Sequence, residues 1–150
     1  MDYTQGGKML KSTDTVKASD LLAVVFNYFL EKKTNRFHAD PASFHQIFYN
    51  WREKNKDNKR LYQVLVFDTR ERFPFSETLE NGLDALQFSG YLERTNPRGV
   101  FVEVDQKIKK LYAEIKKQFT ADELERLTAL AEELSQKLNS NEKNKAPLYS

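Results

Sequence analysis

The chain has 150 residues, a formal net charge of +2 and no cysteine. This length is typical of one domain, and the lack of cysteine excludes disulfides and thiolate chemistry. The near-neutral charge balance excludes a uniformly basic surface, so any DNA-binding surface must be a local patch. The longest apolar run, residues 21–30, is about half of a membrane span, and the first twenty residues lack a signal-peptide core. We therefore expect a soluble, cytoplasmic protein with no membrane partner.

The N-terminal part predicts a flexible arm followed by two helices. Residues 1–17 are polar and aperiodic, and we interpret them as the arm. Residues 21–30 have almost no polar face, which is typical of a helix in a core or an interface, and Ser19 is its expected N-cap. A second helix is predicted to begin at Asp40, a capping residue followed by proline. Its apolar face comprises Phe44, Ile47, Phe48 and Trp51.

The middle of the chain predicts a further helix with one leucine face and one acidic face. Before it, residues 61–69 fit either a strand or a short helix, and we favour the helix. Ser76 is the expected N-cap, and Gly90 is expected to follow the helix in the left-handed conformation. Helical spacing predicts that Leu79, Leu83 and Leu86 are buried and that Glu77, Glu80 and Asp84 are exposed.

A β-hairpin is predicted at residues 91–104, where valines alternate in the second strand and residues 96–99 form the turn. Asp105 is the expected cap of the next helix. Thr120 and Glu123 have the spacing of a capping box at the start of the last helix. Residues 139–150 are polar, and we expect a disordered tail.

Five residues of this last helix recur at spacings of three and four and could pack in two ways. They are either part of the core of one chain or the interface of a homodimer. These residues are Leu124, Leu127, Ala131, Leu134 and Leu138.

A helix followed at once by a hairpin is the core of a winged helix. The segment LDALQFSGYLERTNPRGVFVEV resembles the recognition helix and wing of winged-helix regulators. The closing helices, in which a T/S-x-x-E motif opens the last one, resemble the C-terminal helices of MarR-type regulators. The resemblance covers residues 76–138. It implies a mainly α fold with a small β-hairpin, as a winged-helix domain over residues 18–138 with extra C-terminal helices.

The resemblance also implies a DNA-binding transcriptional regulator, which would bind phosphates through its wing and a basic flank. The candidate DNA contacts are Lys59, Arg60, Arg70, Arg72, Asn81, Gln87, Arg94 and Arg98. However, the acidic face of the recognition helix would repel phosphates. This charge pattern supports an alternative, a protein-interaction module of a multiprotein bacterial or phage system whose acidic helix binds a basic partner. On the resemblance, we slightly favour the DNA-binding regulator.

The sequence offers little for catalysis. The histidines are His38 and His45, which together with Asp40 form the one candidate metal site, and we favour a structural role for them. There is no nucleophile elbow and no complete phosphate loop. We therefore expect no enzymatic activity, no cofactor and no metal.

Overall fold

The structure is a computed structural model that describes residues 15–33, 35–94 and 101–145, apart from the side chains of Phe101 and residues 139–145. The helices are α1 (Ala18–Glu31), α2 (Pro41–Lys54), the short α3 (Lys59–Tyr62), α4 (Glu77–Phe88), α5 (Ile108–Ile115) and α6 (Ala121–Lys145). The strands are β1 (Arg36–His38), β2 (Leu92–Arg94) and β3 (Phe101–Val104). Within these residues, no helix is long and apolar enough to cross a membrane.

The predicted fold class, mainly α with a small β-hairpin, is confirmed. Strands β2 and β3 pair antiparallel, with Leu92 opposite Val104. The hairpin is not alone, because β1 pairs with the other edge of β3 and places Phe37 opposite Val102. The predicted turn at residues 96–99 lies outside the described residues, and so does Arg98.

Helix α1 is the centre of the core. Its residues are apolar nearly all round because α4, α5 and α6 all pack against it. The predicted cap at Ser19 is wrong, since the helix begins at Ala18 and Lys17 occupies the N-cap position without a side-chain hydrogen bond. The predicted arm is also too long at its C-terminal end, because Val16 is buried in the core. Residues 1–14 of that arm lie outside the description.

The leucine stripe of α6 belongs to the core of a single chain. Leu127, Ala131, Leu134 and Leu138 are fully buried, and Leu124 is partly buried against them. Their apolar surface is covered by the chain itself, largely by α1. This is the first of the two expected packings, and a homodimer stays a prediction that would need another surface. Helix α6 continues to Lys145, so the tail does not begin at residue 139 as predicted.

Several helix starts have the predicted caps. The Asp40 carboxylate accepts a bond from the Ser43 amide at 3.1 Å, and the Ser76 hydroxyl accepts one from the Leu79 amide at 3.0 Å. Thr120 and Glu123 form the capping box, with both bonds at 3.0 Å. These bonds satisfy amides that would otherwise have no intrahelical partner.

Two further local predictions need correction. Asp105 accepts a bond from the Lys107 amide in the turn before α5, and the helix itself begins at Ile108. The helix that we favoured for residues 61–69 is mostly absent, because only its first two residues are helical and they form the end of α3. The chain then extends, and Asp68 forms a β-bridge with Phe75. Phe75 of this bridge directly precedes the Ser76 cap, so α4 begins immediately after the bridge.

The position of α4 is set by a close approach to α1. A Cβ atom at Gly82 would lie 2.9 Å from Cδ1 of Leu22 and 3.0 Å from Cβ of Ala18. At this point the two helices are so close that only the hydrogen atom of a glycine side chain fits between them. At the C-terminal end of α4, Gly90 has the predicted left-handed conformation, with φ of 83°. The next strand, β2, can therefore start at once beside the helix.

Candidate functional site

Helix α4 presents one continuous exposed face. Glu77, Asn81, Asp84 and Phe88 recur at i, i+4, i+7 and i+11, and all four are exposed. We call these residues the acidic stripe. On the opposite face Leu79, Leu83 and Leu86 are buried, as predicted. Phe88, at the end of the stripe, is 95% exposed, which is far outside the usual environment of a phenylalanine.

Arg94 of β2 lies across α4 and binds three of its side chains. Its Nε atom is 2.7 Å from Oε1 of Gln87, and its Nη1 atom is 3.3 Å from Oε1 of Glu80. Its Nη2 atom donates to Oδ1 of Asp84. The three acceptors lie at i, i+4 and i+7, so one guanidinium spans two turns of the helix. We call Arg94, Glu80, Asp84 and Gln87 the Arg94 cluster.

The charge of the Arg94 cluster stays negative. Residues 76–94 contain four carboxylates and one guanidinium, and no other charged side chain. Arg94 is only 17% exposed and its three hydrogen bonds all go to α4, so its positive charge is compensated within the protein. The outer surface of α4 is therefore acidic.

A buried histidine contacts the Arg94 cluster through Glu80. His45 of α2 is completely buried, and its Nδ1 atom accepts a bond from the Ser76 amide at 3.1 Å. Because Nδ1 is an acceptor, the proton of the neutral ring is on Nε2, which donates to Oε2 of Glu80 at 2.7 Å. The ring also stacks on Phe75, with centroids 4.7 Å apart. His45 thus has a structural role, as expected.

Glu80 is consequently not the exposed residue that its spacing predicted. Its side chain is 31% exposed because it lies between His45 and Arg94. The hydrogen bond from His45 lowers the pKa of Glu80 against the opposing effect of burial, and the charge of Arg94 lowers the pKa further. Glu80 is therefore ionised at neutral pH and can act as the acceptor for both partners.

A cavity of about 270 Å³ opens beside the Arg94 cluster, between β3, the start of α2 and the loop before α4. Its walls are apolar, and Glu80 and Arg94 provide its polar side. The apolar lining residues are Ala39, Pro41, Phe44, Phe75, Leu83 and Val102.

Three of the basic DNA-contact candidates, Arg60, Arg70 and Arg94, have acidic partners within the protein. Arg60 lies 2.6 Å from Glu123 at the start of α6 and also binds the Gln118 carbonyl at 2.5 Å. Arg70 pairs with Asp68 in the exposed loop, where its hydrogen bonds lower the pKa of Asp68 to about 2. Arg94 is bound to α4 by the contacts above. These three guanidinium groups are therefore engaged within the molecule.

The remaining described DNA-contact candidates are exposed. Lys59 and Arg72 are exposed, and so are Asn81 and Gln87 on α4, although Gln87 accepts the bond from Arg94. The histidine and aspartate candidates do not form a metal site, since Asp40 caps α2 and His45 binds Glu80. Throughout the described part of the chain, no group of three or more His, Cys, Asp or Glu residues is arranged to hold a metal ion.

Sequence reasoning missed the Arg94 cluster and the exposure of Phe88. The spacing of Glu80, Asp84 and Gln87 was the available signal, together with an arginine on the strand that follows the helix. Phe88 also lies at helical spacing from Asp84, on the face opposite the leucines. Comparisons of the chain with protein-family models, curated proteins and solved structures found no match.

Proposed function

We propose that this protein is a winged-helix-like interaction module that binds a basic segment of a protein partner through the exposed face of α4. The observation that carries the proposal is the acidic stripe, which combines the exposed carboxylates of Glu77 and Asp84 with an almost fully exposed phenylalanine. Exposed aromatic residues are typical anchors of protein interfaces. Carboxylates around such an anchor attract a partner of opposite charge and align it.

The order of the elements supports the winged-helix part of the proposal. Within the described residues, three helices precede α4, the hairpin β2–β3 follows it directly, and β1 completes a three-stranded sheet with order β1-β3-β2. In such a domain α4 would be the helix that faces outward to a partner. Because one fold serves many functions, this order supports the architecture and not the nature of the partner.

DNA binding is the second candidate, and the same element order favours it. Asn81 is exposed on α4 and has a side chain suited to adenine, while Lys59 and Arg72 are exposed cations. Charge weighs against it. Affinity for DNA depends on neutralising backbone phosphates, whereas residues 76–94 have three more negative than positive side chains.

Fluorescence anisotropy at low salt distinguishes the two functions. The probes are a labelled peptide of alternating lysine and leucine and a labelled mixed-sequence DNA duplex. We expect the peptide to bind and the duplex not to bind. Glu77→Gln with Asp84→Asn should weaken peptide binding roughly threefold to tenfold, the range of two exposed charge contacts.

A matched control separates the stripe from net charge. Glu114→Gln with Glu125→Gln removes the same charge from exposed positions on α5 and α6 and should leave peptide affinity unchanged. Phe88→Ala should weaken peptide binding without changing stability. Equal peptide affinity in both charge variants would contradict the proposal. Duplex binding that strengthens in the Glu77→Gln, Asp84→Asn variant would establish the DNA function instead.

A further inference from the structure

The cavity beside the Arg94 cluster adjoins α4 and is not part of the acidic stripe. Its volume of about 270 Å³ is below the range of roughly 300–1,000 Å³ that is usual for small-molecule sites. A single apolar side chain needs less room than such a ligand. The cavity therefore has room for one anchoring side chain and is small for a drug-sized molecule.

The walls of the cavity determine the chemistry of that side chain. Phe44, Leu83 and Val102 are buried and fix its floor, while Phe75 is 37% exposed and forms its outer wall. The side chains of these four residues offer contacts for carbon atoms and have no hydrogen-bonding group. An apolar group that entered the cavity would therefore be removed from water at little polar cost.

The polar side of the cavity determines the surroundings of that anchor. Glu80 and Arg94 compensate each other, and Asp84 adds a second carboxylate that is 66% exposed. The pair of carboxylates and the single guanidinium have a net negative charge, while His45 is neutral in the tautomer described above. An incoming acidic group would be repelled, whereas lysine or arginine beside the anchor would be attracted.

We infer that this cavity binds an apolar side chain, of the size of leucine, from a basic segment of the protein partner. The inference rests on the proposed function and adds the partner's motif: an apolar anchor flanked by basic residues. The anchor would occupy the cavity beside Glu80 and Arg94. The flanking cations would lie along Glu77 and Asp84, each about one turn from Glu80 on the same helix.

Two capped pentapeptides test the motif. In one, leucine lies between two pairs of lysines, and in the other alanine replaces the leucine. Titration into protein with ¹³C-labelled methyl groups should shift the resonances of Leu83 and Val102 with the leucine peptide only. The leucine peptide should bind roughly tenfold more tightly, because the buried methyl and methylene groups are lost in the alanine peptide.

Paired phenylalanine variants locate the effect. Phe75→Ala removes the outer wall and should lower affinity for the leucine peptide roughly fivefold or more while changing affinity for the alanine peptide less than about twofold. Phe88→Ala removes an equal side chain at the far end of the stripe and should preserve the preference for leucine. If Phe75→Ala unfolds the protein, the methyl shifts and the affinity ratio of the natural protein decide the outcome.

The outcomes separate this inference from the proposed function. Equal affinity for both peptides, or shifts of methyl groups outside the cavity, would overturn the cavity site. If binding were still weakened by Glu77→Gln with Asp84→Asn, the proposed function would stand without it. The site would also be overturned if the leucine peptide did not bind at millimolar concentration. The same conclusion would follow if duplex DNA displaced the peptide and shifted the same methyl resonances.

Discussion

The Nε2 atom of His45 lies 2.7 Å from Oε2 of Glu80, and this bond joins the buried face of α2 to the exposed helix α4. Each end of the bond has a second partner, the Ser76 amide for His45 and the Arg94 guanidinium for Glu80. The start of α4 and strand β2 are thus connected through His45 and Glu80. The acidic surface of α4 is consequently anchored by hydrogen bonds to a buried residue.

Replacing His45 by phenylalanine should destabilise the protein by about 1–3 kcal/mol, because the Ser76 amide and the Glu80 carboxylate would lose a buried partner. Chemical denaturation measures the free energy of unfolding. Gln46→Ala, at a half-buried position beside it on α2, is the control and should change that free energy by less than about 0.5 kcal/mol. Two equal, small effects would show that the ring serves only to fill space.

Gly82→Ala should destabilise the protein even though alanine is the better helix former. Alanine gains about 1 kcal/mol of helix propensity, but its Cβ would lie 2.9 Å from Leu22 and 3.2 Å from the Ala18 backbone carbon. Overpacking of a rigid core costs about 1–3 kcal/mol, so we expect a net loss. A higher melting temperature for the variant would contradict the close packing of α1 and α4.

Thr120→Ala should destabilise the protein by about 0.5–2 kcal/mol, since it removes the acceptor of the Glu123 amide. Thr128 is exposed on the same helix, so Thr128→Ala is the matched control and should be neutral or slightly stabilising. Thermal unfolding of the two variants gives the comparison. Equal losses would mean that the capping box has no special contribution.

Protonation of Glu123 should make the protein less stable in acid. Burial alone would raise the pKa of Glu123, but hydrogen bonds from the Thr120 amide, Asn58 and Arg60 outweigh it and lower the pKa. The unfolded chain, with a glutamate pKa of about 4.3, then binds the proton more readily than the folded protein. The stabilisation from Glu123 is therefore complete above about pH 5 and is lost as the pH falls through the folded pKa.

Denaturation at several pH values checks this sign. The free energy of unfolding should fall between about pH 5 and pH 3 in the natural protein and fall less steeply in Glu123→Gln. Glu125→Gln changes an exposed neighbour and should keep the slope of the natural protein. An unchanged slope in Glu123→Gln would assign the acid sensitivity to other carboxylates.

Features that depend on neighbouring residues were predictable from the sequence. The caps at Asp40, Ser76 and Thr120 and the buried leucines of α4 follow from side-chain chemistry at fixed spacing. The hairpin strands were predictable for the same reason, because their alternation is local. These patterns predicted the fold class correctly.

Features that depend on distant partners were not predictable. Strand β1 has only three residues, too few for alternation to distinguish it from a loop. Nothing local shows that Arg60 pairs with Glu123, or that Arg94 lies across α4 rather than facing outward. The leucines of α6 were ambiguous in the same way, because a helical stripe has the same pattern whether its partner is this chain or another.

The central position of β3 has a consequence for the order of folding. Strand β3 pairs with β2 across a short connection and with β1 from the far N-terminal part of the chain. Closing the long loop costs more entropy than closing the short one, so the hairpin should form before β1 joins it. We expect Phe37→Leu in β1 to accelerate unfolding while leaving the refolding rate nearly unchanged, and Leu92→Ala in β2 to slow refolding. Stopped-flow kinetics would show the reverse pattern if β1 were part of the folding nucleus.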